Sequence, residues 1–337
     1  MSKIKIAFTD IKDIEKDFLK NNTPENCEFI IIPETLQDTD IEKIKDVEIL
    51  SVFINSRVHG DLLNKFTNLK MITTRSTGYN HIDIEYCNKN NILAMNVPKY
   101  GECTIAEFAF GLLLDLTRKI NVSYENLKSG KINMLGYIGN DLNEKIIGII
   151  GTGSIGCHAI KIAHGFGMKI LAYDPYPQKK LEEKFGVKYA DIDELYKESD
   201  IISLHTPLTK ESYHLLNNEA FSKMKKGVII INTARGEIID TEALYKAITN
   251  ETVSAAGLDV VECENILIQE EQYLLRSDDI NRECLVNTLI NHKLLSLPNV
   301  IITPHIAFDS IEAIQRILKI TMDNINGYLF GNIINKV

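Results

Sequence analysis

The feature that most constrains the fold is a glycine-rich stretch in the middle of the chain. An apolar run, Ile146–Ile150, has the length and composition of a short buried strand and leads directly into Gly151-x-Gly153-x-x-Gly156, after which a helical pattern follows. In such a loop the first glycine permits a tight turn, the second lets the backbone approach a pyrophosphate, and the third lets helix and strand pack closely. The helix N-terminus then offers N–H groups to the phosphates. The stretch therefore predicts a dinucleotide-binding βαβ unit.

The next strand pattern bears on which dinucleotide is bound. Lys169–Tyr173 ends in Asp174, and an acid roughly 20 residues past the glycines is where ribose hydroxyls are bound. A carboxylate there repels a 2′-phosphate, and the Pro-Tyr-Pro that follows Asp174 contains no Arg to bind one. The same glycines also occur in βαβ turns that bind nothing, but the strand, helix, strand and acid together favour binding. We expect NAD as the cofactor.

Composition argues against several classes of partner and location. The 337 residues carry a net charge of −9 and no Lys/Arg cluster, which argues against nucleic acid and anionic membrane surfaces as partners. No apolar stretch has the length of a transmembrane helix, and the N-terminus enters a strand pattern without a signal-peptide profile. We therefore expect a cytoplasmic protein.

The six cysteines show neither a C-x-x-C pair nor a zinc-type spacing with the eight histidines. We therefore expect no metal site, and free thiols of the kind found in a reducing cytoplasm. Cys157 lies beside the glycine loop and Cys263 beside Glu264, so a redox role is conceivable for both, but packing is favoured. The six are Cys27, Cys87, Cys103, Cys157, Cys263 and Cys284.

The length favours two domains, both of the α/β class. In residues 1–100, strand patterns alternate with helical ones, which indicates a parallel sheet covered on both faces, and the five βα units resemble a flavodoxin-like domain. The glycine stretch opens a second α/β domain of the Rossmann type. The expected strands are Ile4–Phe8, Phe29–Ile32, Ile49–Ile54, Met71–Thr74 and Ile92–Asn96, then Ile146–Ile150, Lys169–Tyr173, Ile201–His205, Val228–Asn232, Ser254–Asp259 and Val300–Thr303.

Two breaks in the pattern look like hinges between these domains, at Val97–Gly101 and after Pro304. A long helix from about Glu102 to Ile120 carries apolar residues around most of its circumference, which predicts burial on several sides, one of them by a second subunit. A final helix from about Ser310 to Leu329 is expected to return to the first domain.

We therefore predict a discontinuous substrate-binding domain, residues 1–100 and 305–337, with an NAD-binding domain, residues 101–304, inserted in it. Residues 265–297 interrupt the strand–helix rhythm. The segment is acidic and contains leucines, and it has a helical character around Glu270–Leu275. We interpret it as a surface insertion close to the active site.

Polar side chains follow three strands of the second domain. Arg235 follows the strand that ends at Asn232, Glu264 lies just beyond the strand that ends at Asp259, and His305 follows the last strand. Because parallel strands present their carboxyl ends at one edge of a sheet, all three should share the edge that carries the glycine loop.

These three residue types match what hydride transfer to an α-keto acid requires. Arg binds a carboxylate bidentately and polarises the carbonyl, His exchanges a proton near neutral pH, and a carboxylate orients the imidazole. We expect Glu264 to raise the pKa of His305 and burial to oppose that rise. Singly, such an Arg is more often an ion-pair partner and such a His a loop or core residue, so their shared edge favours catalysis.

Other histidines have weaker signals. His205 lies in a strand-end loop, Leu204–Pro207, that we expect to contact the cofactor. His81 is a reserve catalytic candidate because it is close to the Thr77–Gly78 turn, whose N–H groups could bind an anion or could form an ordinary turn. The remaining histidines are interpreted as structural: His59, His158, His164, His214 and His292.

A series of ordered motifs resembles the D-isomer-specific 2-hydroxyacid dehydrogenase family along nearly the whole chain. The motifs are Arg75–Asp83, Val97–Gly101, Thr104–Glu107, the glycine loop, Leu204–Thr209, Asn232–Gly236, Gly257–Val260 and Thr303–His305. The resemblance implies an NAD-dependent dehydrogenase that dimerises through its NAD-binding domains. It places the catalytic roles on Arg235, Glu264 and His305, the carboxylate-binding backbone on Thr77 and Gly78, and cofactor contacts on Thr104, Ser154, Ile155, Asp174, Thr206, Pro207, Thr233, Ala234 and Asp259.

Within the family the sequence is most similar to the D-lactate dehydrogenase branch. Tyr100 matches a tyrosine near the substrate carboxylate, and Phe308 matches an aromatic of that branch. Phe308 and Phe53 would line a small apolar pocket. Glu264 argues against the formate dehydrogenases, which carry Gln there. Two departures bear on substrate size: residues 265–297 form a longer segment than usual, and the residues after Asp259 lack a Tyr often found there.

The sequence therefore predicts NADH-dependent reduction of a short α-keto acid, with pyruvate to D-lactate as the first hypothesis. One alternative is the same chemistry on phenylpyruvate, a branched keto acid or hydroxypyruvate. A second is a non-catalytic NAD-sensing regulatory protein of the same fold. A third is a substrate without a carboxylate, such as phosphite, that uses the same Arg.

Overall fold

Two parallel β-sheets, each with its own helices, form the protein in this computed structural model. The structure describes residues 3–131, 135–268 and 281–337. A first unit comprises Met1–Tyr100 and Asp309–Val337, and a second unit comprises Gly101–Phe308. The second unit thus ends at Phe308, whereas the sequence predicted that the NAD-binding domain ends at Pro304. The α/β class with two parallel sheets is confirmed.

The first unit is built on a five-stranded sheet with the order β2-β1-β3-β4-β5, all parallel. Strands β3 and β4 are buried at every residue, as expected for apolar strands that helices cover on both faces. The helices and strands of the first unit up to residue 100 are β1 (Ile4–Phe8), α1 (Asp13–Asn21), β2 (Cys27–Ile31), β3 (Ile49–Val52), α2 (Gly60–Leu63), β4 (Met71–Thr74), α3 (Ile84–Lys89) and β5 (Leu93–Met95).

The second unit contains a seven-stranded parallel sheet with the order β12-β11-β10-β9-β6-β7-β8. The chain leaves β6 in one direction and returns on its other side with β9, so the strand order reverses at β6. Its elements are α4 (Glu102–Arg118), α5 (Ile120–Lys128), β6 (Ile146–Ile150), α6 (Ser154–Gly165), β7 (Lys169–Tyr173), α7 (Lys179–Phe185), β8 (Lys188–Tyr189), α8 (Ile192–Glu198), β9 (Ile201–Leu204), α9 (Asn218–Lys223), β10 (Val228–Asn232), α10 (Thr241–Thr249), β11 (Val253–Leu258), α11 (Glu264–Ile268), α12 (Arg282–Leu295) and β12 (Val300–Ile302).

The long helix expected from about Glu102 to Ile120 is present as α4 (Glu102–Arg118). α4 ends at Arg118 because Lys119 adopts a left-handed conformation, with φ +54°, and α5 begins at the next residue. The carboxylate of Asp115 accepts a hydrogen bond from the N–H of Asn121 at 2.7 Å and stabilises this break. α4 packs on the second sheet, where Leu112 and Leu113 are buried with the strands.

The final helix, α13 (Ile311–Phe330), belongs to the first unit. The Ser310 hydroxyl accepts a hydrogen bond from the N–H of Ala313 at 3.1 Å and caps its N-terminus. Its buried face packs into the core formed by β1, β3, β4 and β5. The residues of that face include Leu318, Met322 and Ile325.

The expected insertion is described in part. The helical character predicted around Glu270–Leu275 lies outside the described residues. After it comes α12, which begins at an Asn281 side chain that accepts a hydrogen bond from the N–H of Glu283 at 2.6 Å. α12 buries Asn291 and Leu294 against the second unit, so this part of the segment is a packed element of the fold.

One sequence-based expectation is wrong: the cysteines are not all free. Cys263 and Cys284 form a disulfide, with their Cα atoms 5.5 Å apart. They are 21 residues apart in sequence, and the packing of α12 beside the segment that follows β11 brings them together, so spacing alone did not indicate the pair. The free cysteines of the described residues are Cys27, Cys87, Cys103 and Cys157.

The described ranges contain neither a candidate membrane span nor a candidate metal site. None of the helices there combines the length and apolar character that a membrane span needs. Within the same ranges, no group of three or more His, Cys, Asp and Glu side chains has the arrangement of a metal site.

Candidate active site

The glycine loop after β6 has the geometry that its sequence predicts. Gly151 has φ +93°, and a Cβ there would lie 2.6 Å from the His205 carbonyl oxygen. A Cβ on Gly156 would lie 2.0 Å from the Gly151 oxygen, so only glycine fits. Gly153, by contrast, has no atom within 4 Å of where its Cβ would be. The open space at Gly153, at the N-terminus of α6, suits a pyrophosphate.

Asp174 follows β7 and hydrogen-bonds the glycine loop. Its Oδ2 accepts hydrogen bonds from the Thr152 N–H at 2.6 Å and the Thr152 hydroxyl at 3.0 Å, and its Oδ1 accepts one from the Tyr176 N–H at 2.8 Å. A carboxylate offers about four lone-pair positions, so Asp174 retains capacity for a ribose hydroxyl donor. The other predicted residues of this loop, Ser154 and Ile155, form the first turn of α6.

Two buried polar atoms at the ends of β9 and β10 lack partners among the described residues. They are Nδ1 of His205 and the hydroxyl of Thr233. Burial lowers the pKa of His205 to about 4, so its imidazole is neutral, and Nε2 is within 2.9 Å of the Ser203 hydroxyl. Buried polar groups without partners are rare in folded proteins, so these two atoms fit a site that a ligand completes.

The remaining predicted cofactor contacts surround the same strand ends or begin a helix. Thr206 is half-buried and Pro207 exposed in the loop after β9. Ala234 donates its N–H to the Asn232 side-chain oxygen at 3.0 Å, which orders the turn after β10. Thr104 lies in the first turn of α4.

His305 and Glu264 form the central contact of the second unit. Nδ1 of His305 lies 2.8 Å from Oε1 of Glu264, and each side chain retains about a quarter of its exposure, 27% and 25%. Glu264 is the first residue of α11, and its second oxygen, Oε2, is buried without a partner among the described residues. Because Nδ1 is bound to the carboxylate, Nε2 is the atom available to exchange a proton.

Competing effects set the pKa of His305. Burial lowers it, while the hydrogen bond and charge of Glu264 and the charge of Asp259 raise it, and the Arg235 charge lowers it. The pKa of His305 is raised overall, so the carboxylates outweigh burial and the guanidinium. The imidazolium form therefore persists to a higher pH than that of a free histidine.

Arg235 lies at the edge of the same group. Its side chain is exposed, and Nη1 donates a hydrogen bond to the Ala234 carbonyl at 2.6 Å. The Asn232 side-chain amide donates to the Arg235 carbonyl at 2.8 Å and fixes the backbone of the turn. The guanidinium is close enough for its charge to act on His305, and its exposure allows it to bind an anionic ligand.

Asp259 holds the turn that carries His305, a role that sequence reasoning missed. Its buried carboxylate accepts hydrogen bonds from the Thr303 hydroxyl at 2.6 Å and from the N–H groups of Ile306 at 2.9 Å and Ala307 at 2.8 Å. His305 itself has φ +56°, a left-handed conformation that is unfavourable for a residue with a side chain. Both oxygens of Asp259 thus bind this turn, and its expected contact with the cofactor stays a prediction.

In the first unit, the Thr77–Gly78 turn follows β4. The Thr77 hydroxyl donates to the Val97 carbonyl at 3.0 Å, and the Ser76 hydroxyl donates to the Gly78 carbonyl at 2.7 Å. Within the described part of the chain, neither the N–H of Thr77 nor that of Gly78 donates a hydrogen bond to the protein. Both are thus available to an anion.

The reserve candidate His81 differs from His305 in its surroundings, and its catalytic role stays a prediction. Burial lowers its pKa to about 4, and its Nε2 lies 2.9 Å from the Thr74 hydroxyl. A neutral imidazole at physiological pH has no proton to donate as a cation. Its contact with Thr74 orders the turn after β4.

The aromatic candidates have separate surroundings. Phe308 lies edge-on to the His305 ring, with centroids 6.5 Å apart. In the first unit, Phe53 follows β3, and its ring centroid lies 5.9 Å from the guanidinium carbon of Arg75. The carbonyl of Tyr100, also in the first unit, accepts a hydrogen bond from Nε of Arg316 at 2.6 Å.

Sequence reasoning also missed Glu262, two residues before Glu264. Its buried carboxylate contacts Nε2 of His214 at 2.7 Å and accepts hydrogen bonds from the Thr241 N–H at 3.0 Å and the Asn287 amide at 3.3 Å. His214, interpreted as structural from the sequence, therefore helps to anchor the strand exit. The sequence signal that could have identified Glu262 is the pair of glutamates on either side of Cys263.

Comparison with known proteins gives a family match. The NAD binding domain of the D-isomer specific 2-hydroxyacid dehydrogenases matches residues 110–307. A hydroxypyruvate reductase of Thermotoga maritima is 39% identical, with 94% of this chain and 95% of the relative covered. An aromatic 2-oxoacid reductase of Clostridium sporogenes is 34% identical, with 96% of each covered.

Solved structures agree with the sequence comparison. A crystal structure of D-lactate dehydrogenase from Aquifex aeolicus, complexed with NAD and lactic acid, is 35% identical and has a TM-score of 0.83. The match covers 97% of this chain and 96% of that one. The NAD bound in that structure fits three features of this chain: the glycine loop, the Asp174 carboxylate, and the buried polar atoms of His205 and Thr233 that lack partners among the described residues.

The space beside Gly153 gives a direct test of cofactor binding. We expect Gly153→Ala to fold like the wild type, because the new Cβ meets no protein atom, but to bind NADH at least about tenfold more weakly, because the methyl group would occupy the phosphate path. Fluorescence titration with NADH measures the dissociation constant. Gly165→Ala, also in α6 with open space around its Cβ, is the matched control and should bind NADH normally; equal affinity of the two variants would contradict the assignment.

Proposed function

The chain belongs to the D-isomer specific 2-hydroxyacid dehydrogenase family, and we propose that it reduces a short α-keto acid to the D-2-hydroxy acid, with pyruvate to D-lactate as the lead reaction. It is an NAD-dependent oxidoreductase, as members of the family are. The observation that carries the proposal is the 2.8 Å contact between His305 and Glu264, with the charge of Arg235 acting on the same imidazole.

We assign each of these groups one part of the reaction. NADH, when bound, supplies the hydride for the carbonyl carbon. His305 donates a proton from Nε2 to the carbonyl oxygen, because Nδ1 is bound to Glu264. Glu264 fixes the tautomer and stabilises the imidazolium, and Arg235 binds the carboxylate and polarises the carbonyl. Asp259 keeps His305 in its left-handed turn.

The residues that we propose bind the substrate are those that match substrate-binding positions of the family. In the first unit, the N–H groups of Thr77 and Gly78 would bind the substrate carboxylate, with Tyr100 and Phe53 as further contacts. In the second unit, Phe308 would contact the substrate side chain, because its ring lies beside His305. An aromatic wall suits an apolar side chain such as the methyl group of pyruvate.

The same chemistry on other keto acids is the second candidate. Relatives named hydroxypyruvate reductase and aromatic 2-oxoacid reductase are as similar to this chain as the D-lactate dehydrogenase of known structure. These names span a polar, an aromatic and a small apolar side chain. The reaction centre thus stays the same while the side-chain pocket decides the substrate.

We also propose a cytoplasmic homodimer that forms through the second units. The exposed face of α5 carries Ile120, Tyr124 and Leu127, at helical spacing and each more than half exposed. Contiguous exposed apolar residues of this kind mark interfaces. Light scattering should give twice the 38.1 kDa of one chain, and Tyr124→Glu should give the monomer mass. A wild-type monomer at micromolar concentration would contradict the dimer.

A panel of keto acids tests the proposed reaction. We expect NADH oxidation to be fastest with pyruvate, slower with hydroxypyruvate, branched keto acids and phenylpyruvate, and to yield the D-hydroxy acid. Initial rates at fixed NADH, with product chirality by chiral chromatography, measure this. A preference for phenylpyruvate would select the second candidate.

The catalytic role of His305 supplies the control for that panel. His305→Ala should lower kcat on the best substrate by about 10²–10⁴, the usual contribution of a general acid, and leave the NADH dissociation constant nearly unchanged. An equal loss in kcat and NADH affinity would instead indicate a structural role. Binding of NADH by the wild type without turnover on any keto acid would favour a regulatory protein.

The raised pKa of His305 gives a pH prediction. Keto acid reduction needs the imidazolium, so kcat/KM should be constant at low pH and fall as the pH rises through the pKa of His305. Glu264→Gln removes the charge that raises this pKa, so the alkaline fall should move to lower pH. Profiles of kcat/KM against pH for the wild type and the variant measure the shift. An unshifted profile would contradict the coupling, and Glu283→Gln, an exposed acid of α12, should leave it in place.

A further inference from the structure

The disulfide lies next to the residue that orients the proposed acid. Cys263 immediately precedes Glu264 and is bonded to Cys284 in the first turn of α12. Cys263 has φ +57°, a left-handed conformation that residues with a side chain rarely adopt. The direction in which the chain enters Glu264 is therefore set at a residue that is covalently tied to another element.

The residues on either side of Cys263 have anchors of their own. Before it, the Glu262 carboxylate contacts His214 and Thr241, and the Glu262 carbonyl accepts a hydrogen bond from the Asn291 amide at 2.9 Å. After it, Ile266 is buried and donates its N–H to the Cys263 carbonyl at 3.0 Å. The segment would therefore stay docked without the disulfide, and only the backbone at Cys263 would gain freedom.

Resting on the proposed function, we propose that Cys263 and Cys284 form a redox site: the disulfide holds Glu264 against His305, and reduction by a cellular thiol loosens that contact and slows keto acid reduction at alkaline pH. Both half-cystines are partly exposed, so a small thiol can reach them. In a reducing cytoplasm such a bond would be a labile, regulatory one.

The redox step is a thiol–disulfide exchange. A thiolate of the reductant attacks one sulfur, breaks the Cys263–Cys284 bond and forms a mixed disulfide, while the other cysteine leaves as a thiolate and takes a proton. A second thiol of the reductant then displaces the remaining cysteine. The protein gains two electrons and two protons, and the reductant is oxidised to its disulfide.

The consequence for activity follows from the charges around His305. Glu264 and Asp259 face it and raise its pKa, whereas Arg235 and burial lower it. Asp259 is fixed by the hydrogen bonds of its own turn, so it does not respond to the disulfide. A looser Glu264 contact therefore makes His305 lose its proton at a lower pH, and the reaction that needs this proton slows first on the alkaline side.

The test compares oxidised and reduced full-length protein. Thiol titration in denaturant should find the four free cysteines in the oxidised form, and all six after reduction with dithiothreitol and its removal. With the best keto acid of the panel, the alkaline fall of kcat/KM should lie about half a pH unit lower in the reduced form, so that rates there drop about threefold. The NADH dissociation constant should not change.

Variants separate this proposal from its premise. The double variant Cys263→Ser, Cys284→Ser should have the kcat/KM profile of the reduced wild type, and dithiothreitol should not change it. Cys27→Ser, in the first unit, should show the same shift on reduction as the wild type. Identical profiles of both redox forms, with a displaced profile for Glu264→Gln, would overturn the redox site alone. An undisplaced Glu264→Gln profile would instead overturn the role of Glu264. Loss of folded structure on reduction, seen by circular dichroism, would also overturn the redox site, because the Glu262 anchor is expected to hold the segment.

Discussion

The chemistry of this chain depends on the parallel arrangement of the second sheet. Parallel strands must all be re-entered from the same end, so the loops that leave β6, β9, β10, β11 and β12 share one edge. The strands themselves are apolar and buried on both faces, and their burial supplies the stability. The loops are thereby free to carry polar groups. Glu264 and His305 lie within 2.8 Å of each other, and the charge of Arg235 acts on His305, although up to 70 residues separate these side chains in the sequence.

Most of the strands could be predicted because a buried parallel strand leaves a compact signal. Ile146–Ile150, Lys169–Tyr173 and Val228–Asn232 have the same bounds in sequence and structure, since each is a short apolar run followed by a polar loop. The predicted Ile49–Ile54 ends instead at Val52. Strand ends depend on hydrogen bonds to neighbouring strands, which one segment does not reveal.

Features formed by distant residues could not be predicted in this way. The Cys263–Cys284 bond depends on how α12 packs, and Asp259 serves the turn of His305 through contacts up to 48 residues away. In each case the partner is selected by tertiary packing, so periodicity and spacing carry no trace of it.

The balance of charges at His305 explains why a site of this kind needs several carboxylates. Burial alone would hold the imidazole neutral, as it does for His205 and His81, whose pKa values fall to about 4. Arg235, which we propose binds the anionic substrate, lowers the pKa of His305 further. Glu264 and Asp259 together offset both effects, and Glu264 adds a hydrogen bond to its charge because it lies 2.8 Å from the imidazole. In the proposed reaction, these two carboxylates thus let His305 keep the proton that it donates as an acid.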